Sequence, residues 1–182
     1  MEKKRIGIFV GSLRKASFSK KVACYVGGLL KGRFAVEMID LAPLCMFNQD
    51  YDDEGATPAA WTAFRQQVKR LDGLLFFTPE YNRSMPALLK NALDIGSRPM
   101  GQNVWDGKPA AVVGVSPGKI GGALGVQALR APLAFLNLRL MQQPEVYLGD
   151  AAALFDEQGE PVSEGTAGFL KGFAEAYSAF VG

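Results

Sequence analysis

The chain has 182 residues, 48% of them apolar and 21% charged, with a net charge of +2. That composition is enough for one hydrophobic core, argues against disorder, and is too mildly basic for a nucleic-acid surface, which gathers Lys and Arg on one face. The sequence holds no histidine, which excludes a Ser-His-Asp hydrolase, a histidine zinc site and an imidazole proton shuttle, and makes a bound cofactor the simplest carrier of chemistry. Cys24 and Cys45 are not spaced for a metal or redox motif, so partly buried free thiols and no metal are expected.

Taken in order, the chain alternates strand and helix patterns. Lys3, Lys4 and Arg5 lead into a first strand over Arg5–Val10. This apolar run is too short for a signal-peptide core, and no run of about 18 apolar residues follows; a cytoplasmic protein without a membrane span is expected. Phe18, Val22, Tyr25, Val26, Leu29 and Leu30 then recur at helical spacing, with Gly32 as the expected stop. Phe34–Leu41 reads as the second strand and Ala42–Thr57 as a long solvated loop containing Asp50, Asp52, Asp53 and Glu54. Pro58 opens a helix whose apolar face is Trp61, Phe64, Val68 and Leu71. Gly73–Thr78 is continuously apolar, as a parallel strand covered on both faces should be.

Beyond a polar loop, Pro86–Ile95 is a short helix with Leu88, Leu89, Ala92 and Leu93 inward, and Ala110–Val115 is the fourth strand. A helix follows the glycine-rich Ser116–Gly122 and runs to about Asn137; Pro132 should kink it or shift its start. Arg139–Met141 and Glu145–Leu148 read as two pieces of a fifth strand. Ser163–Val181 is a final helix with Phe169, Phe173, Tyr177 and Phe180 on one face. The pattern predicts one α/β domain over 1–182, a flavodoxin-like three-layer sandwich with a five-stranded parallel sheet of order 2-1-3-4-5. In such a sheet ligands bind beyond the carboxyl ends of the strands, at the switch point.

Three loops lie there. Gly11-Ser12-Leu13-Arg14-Lys15-Ala16-Ser17-Phe18-Ser19 runs into a helix and has the parts of a phosphate cradle. A helix N-terminus offers unpaired amides and the positive end of a dipole, Ser12, Ser17 and Ser19 add hydroxyls, and Arg14 adds a charged fork. A plainer role for Ser17 is to cap the helix, with Arg14 a solvated charge. The loop Thr78–Pro86 sets Glu80, Tyr81 and Asn82 between Pro79 and Pro86, stiff backbone suited to lie beside a flat ring, or simply a polar turn that starts a helix. The loop Ser116-Pro117-Gly118-Lys119-Ile120-Gly121-Gly122 lets backbone approach a ligand closely.

The strand-one loop, together with Pro79-Glu80-Tyr81-Asn82 and Leu89-Lys90-Asn91-Ala92-Leu93-Asp94, resembles the NADPH-dependent FMN reductases, which include chromate and quinone reductases and azoreductase-like enzymes. The likeness extends to Ser97-Arg98-Pro99, Gly107-Lys108-Pro109 and Gly121-Gly122, in order, over about residues 5–180. The resemblance implies one FMN per subunit, NADPH or NADH as reductant, a small-molecule electron acceptor, and a homodimer or homotetramer. It implies that Ser12, Arg14, Ser17 and Ser19 hold the phosphate with Gly11 also in the cofactor site, that Pro79, Glu80, Tyr81 and Asn82 border the isoalloxazine ring largely through backbone atoms, and that Ser116, Gly121 and Gly122 close the other side. No side-chain acid or base is implied, since hydride passes through the flavin. The alternatives are an FMN-binding electron carrier or a flavin-bound regulatory protein that does not turn over NAD(P)H; the pI near 8.5 argues against the first, because flavodoxins are strongly acidic.

Overall fold

A computed structural model describes residues 2–182 of the chain. The strands β1 (Arg5–Val10), β2 (Ala35–Ile39), β3 (Gly73–Thr78) and β4 (Pro109–Val115) form a parallel sheet in the order β2-β1-β3-β4. Two short strands, β5 (Arg139–Leu140) and β6 (Val146–Leu148), both pair with β4 in parallel, at its start and its end. They are the two expected pieces of a fifth strand, and the order is that of a flavodoxin-like sheet.

The period of two along each strand decides the two cores. Ile6, Ile8 and Val10 of β1, Leu75 and Phe77 of β3, and Ala111, Val113 and Val115 of β4 face one side, beneath α1 (Phe18–Leu30) and α6 (Glu164–Val181). Phe9, Leu74, Phe76, Ala110 and Val112 face the other, beneath α3 (Ala59–Lys69), α4 (Ala87–Gly96) and α5 (Ala123–Phe135). Every residue of β3 and β4 is buried, which is why these two strands read as unbroken apolar runs. Phe9, Phe76, Phe64 and Trp105 pack as one aromatic cluster under α3, and the Trp105 indole donates to Leu93 O.

Several local expectations are corrected. The second strand is shorter than Phe34–Leu41; Phe34 and Leu41 are buried but lie outside the ladder. Gly32 does not cap α1: Lys31 ends it in right-handed conformation, and the chain turns through bonds from Arg33 N and Phe34 N to Leu30 O. Pro132 does not shift the start of α5, which begins at Ala123 and runs through Pro132 to Phe135. On α6 the buried face is Leu170, Phe173, Ala174, Tyr177 and Val181, leaving Phe169 exposed and Phe180 half-buried, because strictly aromatic spacing drifts off the helix face that α1 covers. Leu88 is likewise half-buried at the edge of the α4 face. Both cysteines are exposed rather than partly buried.

The loop after β2 is not simply solvated. It carries a one-turn helix, α2 (Asp50–Asp53), and is strapped to the body. Asp52 accepts from both terminal nitrogens of Arg65 at 2.8 and 2.6 Å, and the Arg65 Nε donates to Ile95 O. Phe47 stacks on Trp61, and Asn91 accepts from Phe47 N while donating to Leu44 O and Cys45 O. Phe47 thereby packs against the core. Among the described residues no helix is long and apolar enough to cross a membrane.

Candidate functional site

The carboxyl ends of β1, β3 and β4 converge on a cavity of about 160 Å³. Its walls include Ser12, Arg14, Ser17 and Ser19 on the first loop, Pro79, Glu80 and Tyr81 on the second, and Ser116 on the third. Eight of the residues singled out in the sequence thus meet at one place. The geometry also supplies Phe18, Val115 and Pro117, which the sequence reading left out. Each stands beside a chosen residue, and only the fold turns it inward.

The first loop is built by α1. Ser17 adopts an extended conformation and its Oγ accepts from Lys20 N at 3.2 Å, so its cap role is real. Ser17 and Ser19 are only 3% and 2% exposed, yet both line the cavity. Phe18 and Ser19, the first residues of α1, line the cavity, which sets the positive end of the helix dipole beside it. Ser12 Oγ accepts from Arg14 N, closing a small turn that sends the Arg14 side chain outward into solvent at the cavity mouth.

The second loop is a two-residue hairpin. Tyr81 and Ser84 exchange both backbone hydrogen bonds at 3.0 Å, and Asn82 and Arg83 both have positive φ, 51° and 63°. This is a type I′ arrangement, natural for Asn and unfavourable for Arg by about 1 kcal/mol. Glu80 holds it in place: Oε1 pairs with Arg83 at 3.1 Å, while Oε2 accepts from Leu124 N and Gly125 N, the first free amides of α5. The Glu80 side chain is 10% exposed. Its charge is thus spent on the α5 dipole and on Arg83 rather than on the cavity, where it would repel an anion. Asn82 stands at the exposed tip of the hairpin and does not line the cavity.

Three expected glycines are absent from the cavity wall as well. Gly11 continues the β1 ladder, its N–H bonded to Phe77 O, and a Cβ there would meet Pro86 and Pro79 at 2.7 and 2.9 Å. Its small size serves the packing of the two loops against each other. Gly121 and Gly122 both have positive φ, 65° and 78°; a Cβ on Gly121 would lie 2.8 Å from Leu148 N. They turn the third loop into α5, with Gly122 at the N-cap, and seat it on β6.

The chemistry of this donor set is that of an anion site: three hydroxyls, a guanidinium, helix-terminal amides, and a nearby carboxylate already bonded to the α5 amides and Arg83. Tyr81, half exposed beside Pro79, and Ser116 with Pro117 stand on two sides of the mouth. The residues present fit a phosphorylated flavin.

The sequence profile of the NADPH-dependent FMN reductase family matches residues 4–153. The chain is 46% identical to a quinone reductase of Pseudomonas putida over 176 residues, 97% of this chain and 94% of that protein. It is 45% identical to a 2-hydroxy-1,4-benzoquinone reductase of a Burkholderia species over 177 residues, 97% and 96% of the two. Among solved structures it resembles FerB, a flavoenzyme NAD(P)H:(acceptor) oxidoreductase from Paracoccus denitrificans, with a TM-score of 0.92 at 37% identity, covering 98% of this chain and 97% of that one. With the family's sheet order and the cavity at its switch point, the chain is an oxidoreductase of the NADPH-dependent FMN reductase family.

Proposed function

We propose that the protein is an NAD(P)H-dependent quinone reductase that works on FMN held in the cavity described above, as one FMN-binding unit over 1–182. The observation that carries this reading is the convergence of Ser12, Arg14, Ser17, Ser19, Tyr81 and Ser116 on one cavity while the Glu80 carboxylate is bonded elsewhere. In relatives at 46% and 45% identity the named activity is quinone reduction, which favours a quinone over azo dyes or chromate as the principal acceptor; the latter two remain acceptors of second rank in this proposal.

FMN, when bound, supplies the two-electron chemistry, accepting hydride from the reduced nicotinamide and releasing it to the acceptor. The chain's residues bind and orient. Ser12, Ser17, Ser19, Arg14 and the α1 amides would hold the phosphate, and Pro79, Tyr81 and Ser116 would flank the ring. With no histidine in the chain and the Glu80 carboxylate bonded to the α5 amides and Arg83, the protein's contribution is positional and electrostatic. In this reading donor and acceptor occupy the same place in turn, and steady-state lines are parallel. We place this activity in the cytoplasm, in a homodimer or homotetramer. The outward face of α5 supports the assembly: Leu124, Ala131, Ala134 and Phe135 are exposed there, Phe135 at 88%.

The test is the visible spectrum of the purified protein under anaerobic conditions, before and after NADPH. Flavin bands that bleach on addition, and return with a benzoquinone, are the expected result. Bands that NADPH leaves unchanged would reduce the protein to a flavin carrier, and a protein that takes up no FMN would refute the site.

A further inference from the structure

A second cavity, of about 330 Å³, opens between the carboxyl ends of β1 and β2. Its size reaches the range of small-molecule sites. Ser12 and Arg14 line both cavities, so the outer wall of the phosphate cradle is the inner wall of this crevice. Lys20 of α1 and Asp40 at the end of β2 add one charge of each sign. Leu13 and Met38 add apolar surface, and they are 62% and 40% exposed.

These groups are uncommitted. Neither Arg14 nor Lys20 enters an ion pair among the described residues. Asp40 Oδ1 accepts from Ala42 N at 3.0 Å, and Oδ2 has no bond among the described residues. Read as chemistry, the crevice offers two free cations next to the cradle, apolar side chains able to cover a flat base, and a carboxylate oxygen free to accept from a vicinal diol. An acid at the end of the second strand is where dinucleotide-binding sheets hold a ribose. Phosphate, ribose and base are demanded in that order, moving outward from the cradle.

We propose that this crevice takes the adenylate half of a flavin dinucleotide, so that the protein binds FAD as well as FMN, with the pyrophosphate crossing the shared wall at Ser12 and Arg14. The inference rests on the flavin reading of the cradle and extends it. The adenylate of the nicotinamide cofactor is the weaker occupant. Its nicotinamide must reach the ring over β3 and β4, whereas the crevice lies over β2 and β1, on the far side of the phosphate position.

The experiment is a titration of the flavin-stripped protein with FMN and with FAD, followed by quenching of flavin fluorescence, in wild type, Lys20→Ala and Asp40→Asn. Asn keeps the oxygen that Ala42 N uses, so the turn is retained. FAD is expected to bind within about tenfold of FMN. Each substitution should weaken FAD by roughly threefold or more while leaving FMN within about twofold. FAD binding weaker than FMN by more than about tenfold overturns the inference. So does FAD binding that neither substitution alters, since the adenylate then hangs in solvent. FMN binding with FAD refused overturns the inference alone; failure of FMN to bind brings down the flavin reading and the inference with it.

Discussion

At the scale of single residues, the cradle separates groups that build the loop from groups left for a ligand. Ser17 does both, capping α1 and lining the cavity, and its replacement would confound fold with binding. Arg14 is the cleaner probe, because its side chain holds nothing else in place. Arg14→Ala is expected to leave the thermal midpoint unchanged and to weaken FMN by about 1.5–3 kcal/mol, the range for a hydrogen bond to a charged group; equilibrium dialysis of the flavin measures it. Glu80 is the opposite case. It lines the cavity, while its carboxylate is bonded to the α5 amides and Arg83. Glu80→Ala should cost about 1–2 kcal/mol in denaturant unfolding, as loss of a helix cap does, and should loosen flavin binding through the hairpin. Glu80→Gln, which keeps an acceptor oxygen, should recover most of the stability.

At the scale of elements, the strap over residues 42–57 shows what a family motif is for. In Leu89-Lys90-Asn91-Ala92-Leu93-Asp94 the amide of Asn91 satisfies three backbone groups of the strap, and Leu93 O receives the Trp105 indole. The motif next to the flavin loop is therefore structural support. The strap's other anchor is ionic. The Asp52 side chain is 3% exposed beneath Arg65, and the hydrogen bonds from Arg65, against the opposing effect of burial, hold its carboxyl below the ordinary value of 3.8. A depressed carboxylate contributes stability that is fully present above its unfolded value and is lost as pH falls through the folded one. Urea unfolding between pH 7 and 3 should therefore show the wild type losing stability below about pH 4 relative to Asp52→Asn, with the two curves parallel above pH 5. Arg65→Met, which strands a buried carboxylate, should cost about 3 kcal/mol at neutral pH.

At the scale of the molecule, the sheet order decides which loops meet. β1 and β3 are neighbours although more than sixty residues separate them, and β4 follows β3. The parallel crossovers put all their carboxyl ends on one edge, so the three loops face one another. The outward face of α5 exposes Leu124, Ala131, Ala134 and Phe135. If it is the subunit contact, Phe135→Lys should lower the mass seen in sedimentation equilibrium to that of the monomer while leaving the far-ultraviolet circular dichroism intact; an unchanged mass would place the contact elsewhere.

The sequence by itself determined the class of sheet, the positions of the four main strands, the break in the fifth, and the three loops that hold the cavity. Each of these rests on local signals: periods of two and of 3.6, and turn residues at fixed places. Only the tertiary structure decided which side chains in those loops face the cavity. Gly11, Asn82, Gly121 and Gly122 serve backbone geometry and close packing, and Glu80 turns to the helix beside it. It also decided that Asp52 is buried and that Phe169 is not. The physical reason is common to all of these. A side chain's partner is set by what another, sequence-distant element brings alongside it, and neither its own type nor its neighbours in the chain carry that information.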